Sequence, residues 1–368
     1  MTIFHHEGFE TIGTTATTGA NIEARYNKIP VSLFQETGGG HTGDVALIND
    51  HLSVGLALQM PITQTSRGSF FRNAWASPYN VTTNAAHPVM VTGFRFYNYA
   101  SSPAASRTIW SYMTAATSPA INLIVASNDV DLVYSDTTGS VTIVGALGTA
   151  AWHYIEVEWK PTTSALGGYA KVFVDGTEVY SSGSRSTVAF SFSASFGTRI
   201  GILGTANEAS GQSAFDDWYQ MSIDGVLHTA RLGAVRVLRL TPTSDATPND
   251  WARSSGSTNF SLIDEQTWDT ADYVEASTTG NKDHYGLTTL AGTSTVHALQ
   301  IDAVCQGTSS GRTLHVGFDN GTLDDKSGGV IGTATTAVVR KFFATDPSGA
   351  AWTQSNVNAI EAVQRMTL

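Results

Sequence analysis

Few residues in this 368-residue chain are placed to do chemistry. Glu156 and Glu158 lie two apart in a segment reading WHYIEVEWK, residues 152–160. A strand there projects both carboxylates from one face. Two carboxylates flanking a sugar linkage can cleave it, one as nucleophile and one as acid/base. The plainer reading, and the favoured one, is a solvated face with Lys160 and Lys171 nearby. Asp216 and Asp217 could hold calcium, because hard cations take clustered carboxylates and carbonyls. Asp129, Asp131 or Asp224 could add ligands, but no loop of defined ligand spacing accompanies them. The favoured account has one Asp accepting backbone N–H bonds at the start of a strand. His5, His6, His41, His51 and His87 are scattered, with no helix to space them as zinc ligands. The run Gly38–Gly43 lacks the Lys-Ser/Thr ending of a phosphate loop and reads as a turn. Cys305 reads as an inert thiol within a β run, and a single cysteine forms no intrachain disulfide.

Aromatic residues are the remaining candidates. Trp75, Tyr79, Trp110 and Tyr112 flank loops and could form a platform for sugar rings. They could equally pack against another subunit or inside the chain. Trp251, Phe260, Trp268, Tyr273 and Tyr285 stand singly between residues 243 and 295 and suit an inter-subunit contact.

The elements that must position these residues are short strands. In residues 152–160, His153, Ile155, Val157 and Trp159 alternate with Tyr154, Glu156, Glu158 and Lys160, which predicts one apolar and one polar face. Ala170, Val172 and Val174 alternate likewise and lead into Asp175-Gly176. That dipeptide is a strong hairpin signal, because a type I′ turn needs φ > 0 at both central residues. Further strands are expected at 89–96, 108–113, 121–126, 130–134, 141–144, 188–196, 199–203 and 235–240. Past Pro242 the pattern weakens. Residues 243–295 read as an extended arm or as short strands of a second domain. Strands resume at 296–304, 313–318 and 336–343, with a turn at Asn320-Gly321. Thr353 or Ser355 could cap a closing helix carrying Val357, Ile360 and Val363 on one face. The expected architecture is all-β, with a sandwich at 1–242, a connector at 243–295 and a smaller β-rich domain with a terminal helix at 296–368.

Composition agrees with that class. Charged residues are 14% of the chain and glycine numbers 35, a profile of many tight turns. The net charge of −11 and the lack of a basic run exclude nucleic-acid binding through phosphates. No apolar run reaches the length of a membrane helix. The N-terminus lacks a basic and an apolar region, so no signal peptide is expected and folding in a reducing cytoplasm is.

Residues 1–242 resemble the laminin-G-like, concanavalin-A-like jelly-roll family. The carrying residues are Trp152, Glu156-Val157-Glu158, the run Lys171–Gly176 (KVFVDG) with Val179, and Phe215-Asp216-Asp217-Trp218-Tyr219. The carboxylate pattern departs from the laminarinase-type glucanases of this fold, since Val157 fills the position where they carry an Asp. The wider arrangement is similar to a group of tailed-bacteriophage and prophage virion proteins. It runs through Phe9-Glu10, Leu232-Gly233, Arg236-Val237, Leu240-Thr241-Pro242, Trp251, Ser254 and Gly256. It continues with Asp272-Tyr273, Asp346-Pro347, Trp352-Thr353 and Asn358-Ala359. The resemblance implies a non-enzymatic virion component, tail-tip or fibre associated, or alternatively a capsid decoration or head-fibre protein. A glycan-cleaving enzyme on the same sandwich is the rival. Implied partners are other virion proteins, further copies of the chain and a host surface glycan. No cofactor is implied beyond the calcium considered above.

Overall fold

The computed structural model describes residues 3–7, 32–37, 46–49, 56–62 and 68–74. From residue 89 on it describes all but 99–106, 116–117, 127–129, 137, 161, 163–166, 188–196, 202–210, 224–226, 266–270, 309–310 and 333–335. Two compact units result, one closing at Val237 and one spanning Leu238–Leu368.

The N-terminal unit is built on two antiparallel sheets. The first has the order β13 (Thr177–Ser181), β12 (Tyr169–Val174), β11 (Ala151–Lys160), β6 (Met90–Asn98), β15 (Gly211–Ser222), β4 (Leu56–Ile62), β3 (Ala46–Asn49). In it β1 (Ile3–Glu7) also pairs with β15. The second has the order β10 (Gly139–Ile143), β9 (Leu132–Asp136), β8 (Ser118–Val125), β7 (Arg107–Ala115), β14 (Gly197–Gly201), β5 (Gly68–Ala74), β2 (Ser32–Thr37). The chain crosses between sheets from β6 to β7, returns from β10 to β11, and crosses again on either side of β14. Those crossings make a jelly-roll sandwich of the concanavalin-A-like class.

Alternation explains the core. Phe94, Phe96, Ile155, Val157, Trp159 and Phe215 are fully buried in the first sheet, and Trp110, Ile121, Leu123, Leu132, Tyr134 and Ile200 in the second. Rings meet across the gap: Tyr112 with Trp159 at 4.1 Å and Tyr134 with Tyr180 at 4.6 Å between centroids. Arg107 ties the sheets together, its Nε donating to Ser213 Oγ and its Nη2 to Asn98 Oδ1. The Asp175-Gly176 turn forms as the dipeptide predicts, with φ of 49° and 84°, and joins β12 to β13.

Two expected elements change. Residues 235–240 form no strand. Val237 N–H finds a carboxylate, Asp217 Oδ1, instead of a neighbouring strand. The closing helix shrinks to one turn, α1 (Gln354–Val357), capped by Thr353, whose hydroxyl accepts Asn356 N–H. Val363 sits in the last strand, β24 (Glu361–Thr367). Asn356 and Asn358 are weak helix formers, and the terminal segment gains two ladders by pairing with strands on both sides. The strand expected at 188–196 lies outside the described residues.

The C-terminal unit has a five-stranded antiparallel sheet, in the order β16 (Pro242–Asn249), β19 (Lys282–Leu287), β24, β21 (Thr313–Asp319), β22 (Leu323–Val330). Two further pairs are β17 (Ala252–Arg253) with β18 (Val274–Glu275), and β20 (Leu299–Gln306) with β23 (Thr336–Phe343). Phe318, Phe343, Trp352, Val357 and Ile360 form its main core cluster. The stretch 243–295, expected as an arm or as short strands, supplies β16 to β19. A polar knot orders it. Asp283 Oδ2 accepts from Asn259 Nδ2 and Tyr285 Oη, and its Oδ1 from Trp251 N–H. Asp245 accepts the N–H groups of Asn259 and Phe260. Such a knot leaves no apolar periodicity to read.

Candidate functional site

The chemistry-bearing residues of the N-terminal unit gather on the outer face of its first sheet. Register puts Glu156 opposite Gly93, and Gly93 opposite Tyr219, in one row across β11, β6 and β15. Gly93 is required there: a Cβ on it would stand 2.2 Å from the Tyr219 ring. The ring therefore crosses the central strand and its hydroxyl donates to Glu156 Oε1 at 2.6 Å. One row away, β15 carries a bulge between Asp216 and Tyr219. Asp217 sits in it at φ 49°, a left-handed conformation that asparagine and aspartate tolerate better than most residues. The bulge turns Asp217 onto this face, where Oδ2 accepts from Arg95 Nε at 2.8 Å.

A strap without regular structure, residues 227–237, closes over this face. Arg231 Nη1 donates to Glu156 Oε2, and Gly233 N–H to Glu156 Oε1 at 2.9 Å. Leu232 N–H donates to Tyr219 Oη, and Val237 N–H to Asp217 Oδ1 at 2.7 Å. Arg231 also stacks 4.0 Å from the centroid of Phe173. Glu156, Asp217 and Tyr219 are each 1% exposed. Burial raises the Tyr154 and Tyr219 hydroxyls well above the ordinary tyrosine range. Burial also raises Asp217 to about 6, against the opposing pull of Val237 N–H and Arg95.

The solvated face expected around Glu156 is thus corrected. Strap and sheet bury it, and both carboxylate oxygens are engaged. Glu158, two residues on, is half-buried and accepts from Tyr169 Oη at 2.9 Å. Asp216 and Asp217 lie at a bulge inside β15, not at the start of a strand. Asp216 Oδ1 accepts Asp217 N–H, and Asp217 has the two partners given above. Among the described residues, no group of three or more His, Cys, Asp or Glu is placed to hold a metal.

Trp110 and Tyr112 are core residues, 0% and 5% exposed, so neither can offer a ring face to a sugar. Their alternation in β7 directs both between the sheets. Trp75, Tyr79 and Trp268 lie outside the described residues. In the C-terminal unit Tyr285 is buried in the polar knot, and Trp251 and Phe260 are half-buried. Tyr273 is 47% exposed. Gly93 and Arg231 escaped sequence reasoning, and Tyr219 and Gly233 entered it only as carriers of the resemblance, not as site residues. A glycine inside the strong strand 89–96 was the available signal, since it marks a close approach.

No family model matches the chain, and no curated protein sequence matches it. Solved structures resemble it in chain course. An alginate lyase, Aly36B, bound to alginate trisaccharide is 10% identical, covers 59% of this chain and 97% of its own, and has a TM-score of 0.42. An endo-β-1,4-glucuronan lyase from the fungus Trichoderma reesei is 16% identical over 50% of this chain and 87% of its own, with a TM-score of 0.35. Domain 4 of AbnA, a GH43 arabinanase from Geobacillus stearothermophilus, is 14% identical over 60% of this chain and 91% of its own, with a TM-score of 0.34. At these values the assignment to the jelly-roll class rests on the strand order above.

Proposed function

We propose that this chain is a non-catalytic structural subunit of a tailed-bacteriophage particle, associated with the tail tip or a fibre, whose sandwich contacts a host glycan. One observation carries the non-catalytic reading. The only same-face pair of glutamates in β11 has its inner member sealed by the strap, with both oxygens accepting hydrogen bonds from the protein. A general acid or base must reach the proton it transfers, and a nucleophile must reach the anomeric carbon. The virion reading is supported by the ordered motifs from Phe9-Glu10 to Asn358-Ala359. Particles repeat their subunits under symmetry, so further copies of the chain and other virion proteins are its partners.

The test is mass spectrometry and cryo-electron microscopy of particles from a host carrying this gene. Density at the tail tip or a fibre in low copy number is the expected result. Density over the capsid lattice would make the chain a decoration or head-fibre protein. Absence from the particle would overturn the virion reading. Release of reducing or unsaturated sugar ends from polysaccharide by the purified chain would overturn the non-catalytic one.

A further inference from the structure

The second sheet of the sandwich ends on an unguarded strand. β10 is paired on one side only, with β9, in a register that runs unbroken from Gly139 opposite Asp136 to Ile143 opposite Leu132. Its free side presents backbone N–H and C=O groups with which another strand can pair. Residues 139–142 are exposed and Ile143 is half-exposed. Proteins blunt such edges with charges, prolines or bulges, and other edges of this chain carry those devices. β13 holds Glu178, ion-paired with Lys171, and meets β12 through a register shift. β16 holds Asp245, Pro242 and Pro248, and its register with β19 shifts twice. β22 holds Asp324, Asp325 and Lys326, and its register with β21 also shifts. β10 has no charge, no proline and no shift.

The side chains of β10 say which strand fits. Val141 and Ile143 stand opposite Tyr134 and Leu132, both fully buried, and so lie on the core side of the sheet. Val141 is nevertheless 41% exposed, because no strand follows β10, and Val144 just beyond it is 83% exposed. Ser140 and Thr142 lie on the outer side. The protein carries a net charge of −11, so two copies repel each other on approach. Residues 137–152 contain no charged side chain. A second β10, antiparallel to the first across a two-fold axis, therefore adds no charge to the contact. Opposed residues must share a face of the sheet, and an axis centred on Val141 is the register that pairs all five residues. Val141 then lies beside the partner's Val141, and Ser140 beside the partner's Thr142. Ile143 lies beside the partner's Gly139, which has no side chain to crowd it. A two-fold contact of this kind is closed, so the two free edges remove each other.

We propose that β10 pairs with β10 of a second copy, joining two seven-stranded sheets into one continuous sheet. The inference rests on the reading of the chain as a repeated subunit and names the strand through which copies meet. Five residues a side bury well under the about 1,000 Å² that a stable free dimer needs. The contact is therefore weak alone and gains strength where a particle holds neighbouring copies at high effective concentration.

The test is disulfide trapping in the full chain. Val141→Cys is oxidised with glutathione disulfide beside Thr177→Cys, which places a thiol on the first sheet's edge, and beside the wild type with its single Cys305. Directly opposed residues of paired strands lie within the span that a disulfide bridges. The expected result is a dimer linked through residue 141, formed at least about tenfold faster than any dimer of the two controls. Sedimentation equilibrium at high concentration should show a reversible dimer of the wild type. Val141→Lys, an exposed change, should raise its dissociation constant about tenfold by setting two ammonium groups face to face. Circular dichroism checks that each variant is folded. Equal trapping of Val141→Cys and Thr177→Cys, or Val141→Lys sedimenting as the wild type does, would overturn the proposal. Either result in a chain that is found in particles would leave the virion reading standing. A dimer trapped at residue 141 in a chain absent from particles would support the pairing and overturn the virion reading alone.

Discussion

The two outer faces of the sandwich are built from the same strand geometry and end in opposite states. On the first sheet, a strap crosses the face and takes up the charged groups: Glu156 meets Arg231, and Asp217 meets Arg95 and Val237 N–H. On the second, Ser140, Ser135, Asn122 and Ser111 fall in one row across β10, β9, β8 and β7, and their hydroxyl and amide groups are joined within the sheet, Ser111 Oγ donating to Asn122 Oδ1 and Ser140 Oγ to Ser135 Oγ. The difference teaches that a carboxylate pair on a β-strand is no evidence of catalysis until its far side is seen. A buried charge with three donors is a fastening.

The comparison breaks most visibly at Glu156. Glu156→Ala leaves Arg231, Tyr219 Oη and Gly233 N–H without their acceptor. Removing one partner of a buried ion pair costs about 3–5 kcal/mol, so the N-terminal unit is expected to melt far below wild type in calorimetry. A wild-type melting temperature would mean the strap contributes nothing. Gly93→Ala comes next. Its methyl group collides with the Tyr219 ring, and overpacking of this kind costs about 1–3 kcal/mol. The variant should also lose protection of Gly233 N–H in hydrogen exchange, which a purely local clash would not cause.

A smaller effect appears with pH. Asp217 is raised to about 6 from 3.8, chiefly by burial. Between those values the folded chain holds a proton that the unfolded chain has released. This group's contribution to stability therefore falls as pH rises toward 6 and is level above it. Denaturant titrations from pH 4 to 7 should show that slope in wild type, and Asp217→Asn should flatten it. An unchanged slope in the variant would assign the dependence elsewhere. Smallest is the expected effect of Ser140→Ala, which removes one exposed hydrogen bond, to Ser135 Oγ. A surface change of this kind moves stability by about 0.5 kcal/mol or less, and a larger drop in a chemical melt would make the second face a fastening as well.

Much of this was legible beforehand, and the reasons differ by region. The I′ turn at Asp175-Gly176 is fixed by two residues that tolerate positive φ, so local chemistry sufficed. The strands of the sandwich showed themselves through period-2 alternation. Residues 235–240 misled because Val-Arg-Val-Leu-Arg-Leu alternates well, yet its N–H partner is the carboxylate of Asp217, distant in sequence. The burial of Glu156 was hidden for the same reason, since it depends on Arg231 and Gly233, about 75 residues downstream. Residues 243–295 looked loosely structured because Asn259, Asp245 and Asp283 order them through hydrogen bonds, which leave no hydrophobic pattern. The row from Ser140 to Ser111 needs strand register, and polar residues spaced through four strands carry no signal in sequence.

The most direct test of the fastened face is hydrogen exchange at Gly233 in wild type and in Gly93→Ala. The account predicts that Gly233 N–H, held by Glu156 Oε1, is protected in wild type, and that Gly93→Ala, whose methyl group collides with the Tyr219 ring, loses that protection and melts lower. Wild-type protection and melting temperature in Gly93→Ala would contradict it.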